Sequence, residues 1–165
     1  MAKAILVAAL ILLTACEIAP ESDRTGFDRA HFHHHADDLC DQSGTDPYTG
    51  LPYTPDTCDV DHIVSAAEAW ESGAHAWTEK QRQTFGRDLR NLAPSRDCVN
   101  RSKQDHDIAE WSGTVKTGPC AGTILTDEGR YWWALRTVEV KTAYNLDMDL
   151  AEISAIWHIF FVHTP

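Results

Sequence analysis

The run Asp59-Val60-Asp61-His62-Ile63-Val64 is answered downstream by Asn91-Leu92 and then by Asn100-Arg101-Ser102-Lys103. A carboxylate beside a histidine, with two asparagines and a lysine returning later in the chain, supplies the parts that metal-assisted phosphodiester hydrolysis requires. Side-chain oxygens suit a hard divalent cation, and an imidazole near its own pKa takes a proton from water at neutral pH. Asp61-His62 alone reads equally well as a strand-end hydrogen bond; the ordered set of residues narrows the chemistry.

Local patterning places these residues on short elements. Residues 59–64 read as a short strand leading into the apolar-faced run Ala66, Ala67, Ala69, Trp70, which ends at Gly73 as a helix would. Thr78 with Gln81 is a capping-box start, and residues 79–89 read as a polar helix. Residues 91–93 form a short strand stopped by Pro94, and residues 99–103 open another short helix. Further on, Thr126 or Asp127 caps a helix to about Tyr144 whose apolar face includes Trp132, Leu135, Val138 and Val140. Asp149 with Glu152 caps a last helix carrying Ile153, Ile156, Trp157 and Phe160. Glu68 reads as solvated or as a cap partner. Glu110-Trp111 reads as a closing contact, with Trp111 packed under the hairpin and Glu110 paired to a base.

At 165 residues the chain suits one compact domain. A net charge of −11 argues against a protein that coats nucleic acid through overall charge. The charge is uneven: residues 80–103 hold seven bases against two acids, whereas residues 17–61 hold eleven acids against two bases. The basic stretch coincides with the candidate site.

The N-terminus reads as an address. Lys3 precedes an apolar run over residues 4–13 that is too short to span a membrane, and Leu13-Thr14-Ala15-Cys16 resembles a bacterial lipobox. The expected organisation is a signal peptide over residues 1–15, a lipidated Cys16 with a polar tether to residue 25, and one domain over residues 26–165. The protein is then exported, and anchored to a membrane by lipid or secreted. An ordinary secretory signal with a chance cysteine is the alternative. Cys40, Cys58, Cys98 and Cys120 remain, an even number with three possible connectivities. Pairing Cys40 with Cys58 and Cys98 with Cys120 closes two local loops beside the site, while the absence of Cys-x-x-Cys spacing argues against thiolate-held zinc.

Taken together, Asp46 to Gly50 (Asp-Pro-Tyr-Thr-Gly), Asp59 to Val64, Asn91, Asn100 to Lys103 and Glu110-Trp111 resemble the HNH endonucleases of the ββα-metal group, and among them small exported bacterial HNH proteins. The resemblance implies an α+β fold in which a small ββα-metal hairpin–helix core is embedded in a mainly helical single domain. It further implies one divalent cation held by Asp61 and Asn100, with His62 on the opposite side of the strand as general base. Asn91 would orient the imidazole, Lys103 would neutralise a non-bridging phosphate oxygen, and Arg101 would bind a flanking phosphate. Magnesium is the expected metal, with manganese, zinc or nickel as alternatives. The substrate the resemblance implies is nucleic acid, DNA ahead of RNA.

Three features depart from that pattern. Ser65 stands where a proline is usual, Gln104 follows Lys103 where a glycine is common, and the histidines at 31, 33, 34 and 35 have no counterpart in it. Those histidines read as a solvated patch, a metal-scavenging site or an additional phosphate-binding surface. Two other function classes stay open: a non-catalytic envelope lipoprotein binding module on the same scaffold, and a His-rich metal-binding protein.

Overall fold

The computed structural model describes residues 18–162. The expectations for the signal peptide and for Cys16 fall outside those residues. Two 3-10 turns, Arg29–Phe32 and Asp37–Cys40, precede a two-residue ladder of β1 (Gly44–Thr45) with β2 (Pro52–Tyr53). Strand β3 (Cys58–His62) pairs antiparallel with β4 (Leu92–Arg96), which sets Asp61 opposite Ala93 and His62 opposite Leu92. Helices α1 (Ala66–Glu71) and α2 (Glu79–Gly86) are inserted between these strands, and α3 (Asp97–Lys103) follows β4 directly. Two strands and one helix thus form a ββα unit, backed by α4 (Asp127–Tyr144) and α5 (Leu150–Val162). The whole is α+β, as the resemblance implies.

The capping signals act as read. The Thr78 hydroxyl and the Gln81 side chain cap each other's backbone at the start of α2, and Thr126 Oγ1 accepts from Gly129 N–H at the start of α4. Asp149 Oδ1 accepts from Glu152 N–H, but the Glu152 carboxylate goes to Lys141 instead of returning to the backbone. Helix α2 stops at Gly86, three residues earlier than its polar run suggests. Gly86 lies so close to the Phe32 carbonyl that a Cβ there would fall 2.2 Å from its oxygen, and Asp88 caps a separate 3-10 turn, Leu89–Asn91. Pro94 does not end its strand but sits within β4 opposite Val60. Both strands of a two-stranded sheet are edges, where a residue lacking an N–H is tolerated.

Two apolar clusters flank the ββα unit. One gathers Tyr48, Ile63, Trp111, Trp133, Val138, Ile156 and Phe160; the other gathers Phe32, Val64, Trp70, Phe85, Val140 and Leu146. Helix α4 buries Trp133, Ala134, Thr137, Val138, Val140 and Lys141, while Trp132 and Leu135 are only partly covered. The stripe is rotated from the one its hydrophobic residues suggest, because Lys141 is part of it. Its ammonium lies between Glu68 and Glu152 in the interior and also donates to Ser72 Oγ and the Asp147 carbonyl. Glu68 is therefore a buried ion-pair partner, not a solvated residue. Trp157, on the last helix, is 49% exposed and lies outside the core.

Disulfides join Cys40 to Cys58 and Cys98 to Cys120, the local pairing. Residues 18–25, expected as a tether, lie against the domain. Ala19 N–H donates to the Met148 carbonyl, Ser22 N–H to the Glu71 carbonyl, and Arg24 pairs with both Glu71 and Asp105. Among the described residues no helix is long and apolar enough to cross a membrane.

Candidate active site

Alternation along β3 and its exit distributes the site residues. Asp61 and Ile63 turn to the side of Tyr48 and Trp133, while His62 and Val64 turn to the side of Phe32 and Phe85. The exit is fixed at the backbone. Ile63 N–H donates to the Asn91 carbonyl at 2.9 Å, and the Ile63 carbonyl accepts from Trp133 Nε1 at 3.1 Å. Asn91 is fully buried, and its amide straddles Val64, accepting from Val64 N–H at 2.8 Å and donating to the Val64 carbonyl at 3.1 Å. Expected to orient the imidazole, Asn91 instead holds the backbone two residues further on. A buried amide must satisfy both its ends, and the nearest groups are those of Val64.

The imidazole is oriented by Gly86. His62 Nε2 lies 2.9 Å from the Gly86 carbonyl, which only accepts, so Nε2 carries the proton and Nδ1 keeps the lone pair. Burial pushes the His62 pKa down to about 4, and the neighbouring His34, Lys103 and Arg29 act in the same direction against the Gly86 bond. The ring is thus neutral throughout the neutral range.

Asp61 and Lys103 are placed differently from their expected roles. Lys103 is fully buried, with its ammonium 3.1 Å from Asp61 Oδ1 and 2.9 Å from the His62 carbonyl. The other Asp61 oxygen accepts from the Tyr48 hydroxyl. Burial raises the Asp61 pKa, opposed by the Lys103 charge and the Tyr48 hydrogen bond, and burial beside Asp61 drives the Tyr48 phenol well up. As placed, both Asp61 oxygens are engaged, and Lys103 ties α3 to β3 instead of facing a phosphate. The reason is its partners: the Asp61 carboxylate and the His62 carbonyl both take the ammonium, so the lysine is satisfied inside the fold.

The carboxylate that opens outward on this strand is Asp59. Asn100 Nδ2 lies 3.5 Å from Asp59 Oδ2, which leaves the amide oxygen of Asn100 available. Asp59, His62, Asn100 and Arg101 line a cleft of about 570 Å³, joined by Arg29 and His34 from the N-terminal segment. Arg101 is ion-paired with Asp97 one turn earlier on α3. Other bases of the 80–103 stretch serve the fold. Arg82 donates to the Ala74 and His75 carbonyls, Arg90 pairs with Asp88, and Arg96 donates to the Pro52 carbonyl. A second cleft, about 530 Å³, lies beyond α3 against Trp111 and Lys116, away from β3.

The Asp-Pro-Tyr-Thr-Gly turn joins the site from below. Asp46 Oδ1 accepts from the backbone of Tyr48 and Thr49, while Oδ2 accepts from Ser95 Oγ and Arg96 N–H on β4. That double grip presents Tyr48 to Asp61. Trp111 packs against Tyr48 and Trp133 as a closing contact, whereas Glu110 accepts from Asp107 N–H and pairs with no base in the described structure. Sequence reasoning missed Gly86, whose role rests on a carbonyl that any residue carries, and Tyr48, whose motif was visible but not its target.

Residues 7–116, about two thirds of the chain, match the family described as GmrSD restriction endonucleases, C-terminal domain. The chain is 35% identical over 113 residues to an uncharacterized secreted protein of the fungus Arthroderma benhamiae, covering 67% of this chain and 50% of that protein. It therefore spans about half the length of that curated relative. No solved structure matches the chain.

Proposed function

Given that the chain belongs to the family of GmrSD restriction endonuclease C-terminal domains, we propose that it is a metal-dependent nuclease of the HNH type that hydrolyses phosphodiester bonds, with DNA as substrate. The observation that carries the reading is His62, neutral, locked by the Gly86 carbonyl and opening onto the same cleft as Asp59 and Asn100. Its free Nδ1 is the atom that takes the proton from an attacking water.

The residues that would hold a divalent cation are Asn100 and Asp59, which open onto the cleft; Asp61 also lines it and would join them on exchanging its Lys103 contact for the metal. All are oxygen donors, which fits magnesium or manganese better than a soft-ligand metal. When bound, the cation polarises the scissile phosphate and stabilises the departing oxyanion. Arg101 would meet the flanking phosphate on releasing Asp97. Lys103 acts as a positioning residue, holding the Asp61 carboxylate and the His62 carbonyl. Asn91 positions the strand exit so that the base stays aimed.

Export is part of the proposal. The fungal relative is described as secreted, and the two disulfides suit an oxidising compartment. A lipid on Cys16 would add an anchor. The test is cleavage of plasmid and single-stranded DNA by residues 17–165 in Mg²⁺, Mn²⁺ or EDTA. Cation-dependent cleavage lost in Asn100→Ala supports the reading. Absence of cleavage of DNA by folded, disulfide-intact protein in either metal would overturn it.

A further inference from the structure

Resting on the nuclease reading, we propose that His34, with Arg29 on the same cleft, forms a subsite that grips a backbone phosphate next to the scissile one. The histidine run has no counterpart in the motifs that carry the site. The structure divides that run by exposure: His33 and His35 face solvent, whereas His34 turns inward. Its ring centroid lies 5.6 Å from that of His62, and its side chain lines the cleft with Asp59 and Asn100.

The segment bearing His34 is fastened at both ends. Phe32 is buried edge-on against Phe85, and Cys40 is joined to Cys58, the residue before Asp59. A strap so held presents its inward side chain to the cleft at little entropic cost. Within it, His34 Nδ1 is turned to the Ala36 N–H at 3.5 Å and the Asp37 carboxylate at 3.7 Å, which leaves Nε2 as the nitrogen outside those contacts, a donor whenever it carries the proton. A donor beside the base, with a guanidinium on the same wall, suits an anionic phosphodiester oxygen. A metal-scavenging role fits less well. Among the described residues the one group of three ligand atoms close enough to share an ion is Glu21, Glu68 and Asp107, which contains no histidine.

The test compares His33→Ala, His34→Ala, His35→Ala, His34→Asn and Arg29→Ala in Mn²⁺-dependent cleavage of a fluorescein-labelled single-stranded oligonucleotide. Binding of the same oligonucleotide is measured in parallel by anisotropy in a His62→Ala background. Losing the donor in His34→Ala is expected to raise KM and Kd about tenfold with kcat within about twofold. His34→Asn, which keeps an N–H donor, recovers most of that loss, and the two exposed-histidine variants match the parent. Arg29→Ala is a surface change that folds, and it reduces the salt slope of binding by about 0.7. Equal behaviour of the three alanine variants overturns the proposal, as does a fall in kcat at unchanged KM. No cleavage by the parent protein counts against the nuclease reading; the anisotropy series then still decides whether His34 holds the strand.

Discussion

Replacing Lys103 by methionine separates the role its sequence neighbourhood suggests from the one its position imposes. In the fold the ammonium is fully buried, 3.1 Å from an Asp61 carboxylate that is itself 3% exposed, and it also satisfies the His62 carbonyl. Methionine fills the space but leaves a buried carboxylate with the Tyr48 hydroxyl as its one donor. Breaking a buried pair from one side destabilises by about 3–5 kcal/mol, which for a domain of this size lowers Tm by roughly 10–15 °C. Differential scanning calorimetry at pH 7 measures it. Adding Asp61→Asn removes the stranded charge and should restore at least about 1 kcal/mol of the loss. The pH dependence carries a sign. Burial already holds the folded-state pKa of Asp61 above its unfolded value, and losing Lys103 raises it further, so the folded variant binds the extra proton more readily than the parent. The variant's deficit therefore shrinks as pH falls from 7 toward the unfolded carboxylate value near about 4. A Lys103→Met protein with parental Tm and abolished cleavage would refute this reasoning and return Lys103 to the phosphate.

Three further outcomes follow from named contacts. Gly86→Ala places a Cβ 2.2 Å from the Phe32 carbonyl, so the end of α2 must move; urea unfolding should show a loss of about 1–3 kcal/mol, and cleavage should fall as His62 loses its acceptor. Gln104 stands at φ 56°, ψ −127°, a conformation that favours glycine, so Gln104→Gly should raise stability by about 1 kcal/mol in the same assay. With its pKa held to about 4, His62 should sustain kcat/KM unchanged from pH 8 to 6, where an ordinary imidazole would already be losing its lone pair. The unfolded chain binds this proton first, so the neutral His62 makes stability decline as pH falls from about 6.5 toward 4.

What the sequence made legible was local. The β3 strand, the Thr78–Gln81 cap, the Thr126 cap and the placement of Asn100 on a helix after a hairpin all follow from residue types within a few positions of one another. The opposite facing of Asp61 and His62 follows from strand alternation alone. The buried charges were not legible, because Lys103, Glu68 and Lys141 carry the composition of surface residues and are interior only through partners elsewhere in the fold: Lys103 meets Asp61 42 positions away, and Lys141 meets Glu68 73 positions away and Glu152 11 positions away. Lys141 also explains the rotated face of α4, since a hydrophobic pattern gives no weight to a lysine that is neutralised inside. Asn91 was visible as a site residue, but its target, Val64, depends on how α1 and α2 fold between the two strands. His34 could have been singled out only by knowing that Cys40 and Phe32 clamp the segment over the cleft.

The most direct test of the central claim is single-turnover cleavage by His62→Gly in Mn²⁺, with and without added imidazole. If His62 Nδ1 takes the proton from water, the variant loses about 10²–10⁴-fold in rate while still binding DNA, and imidazole restores part of the loss. A His62→Gly protein that cleaves within a few-fold of the parent, with no response to imidazole, would contradict the account.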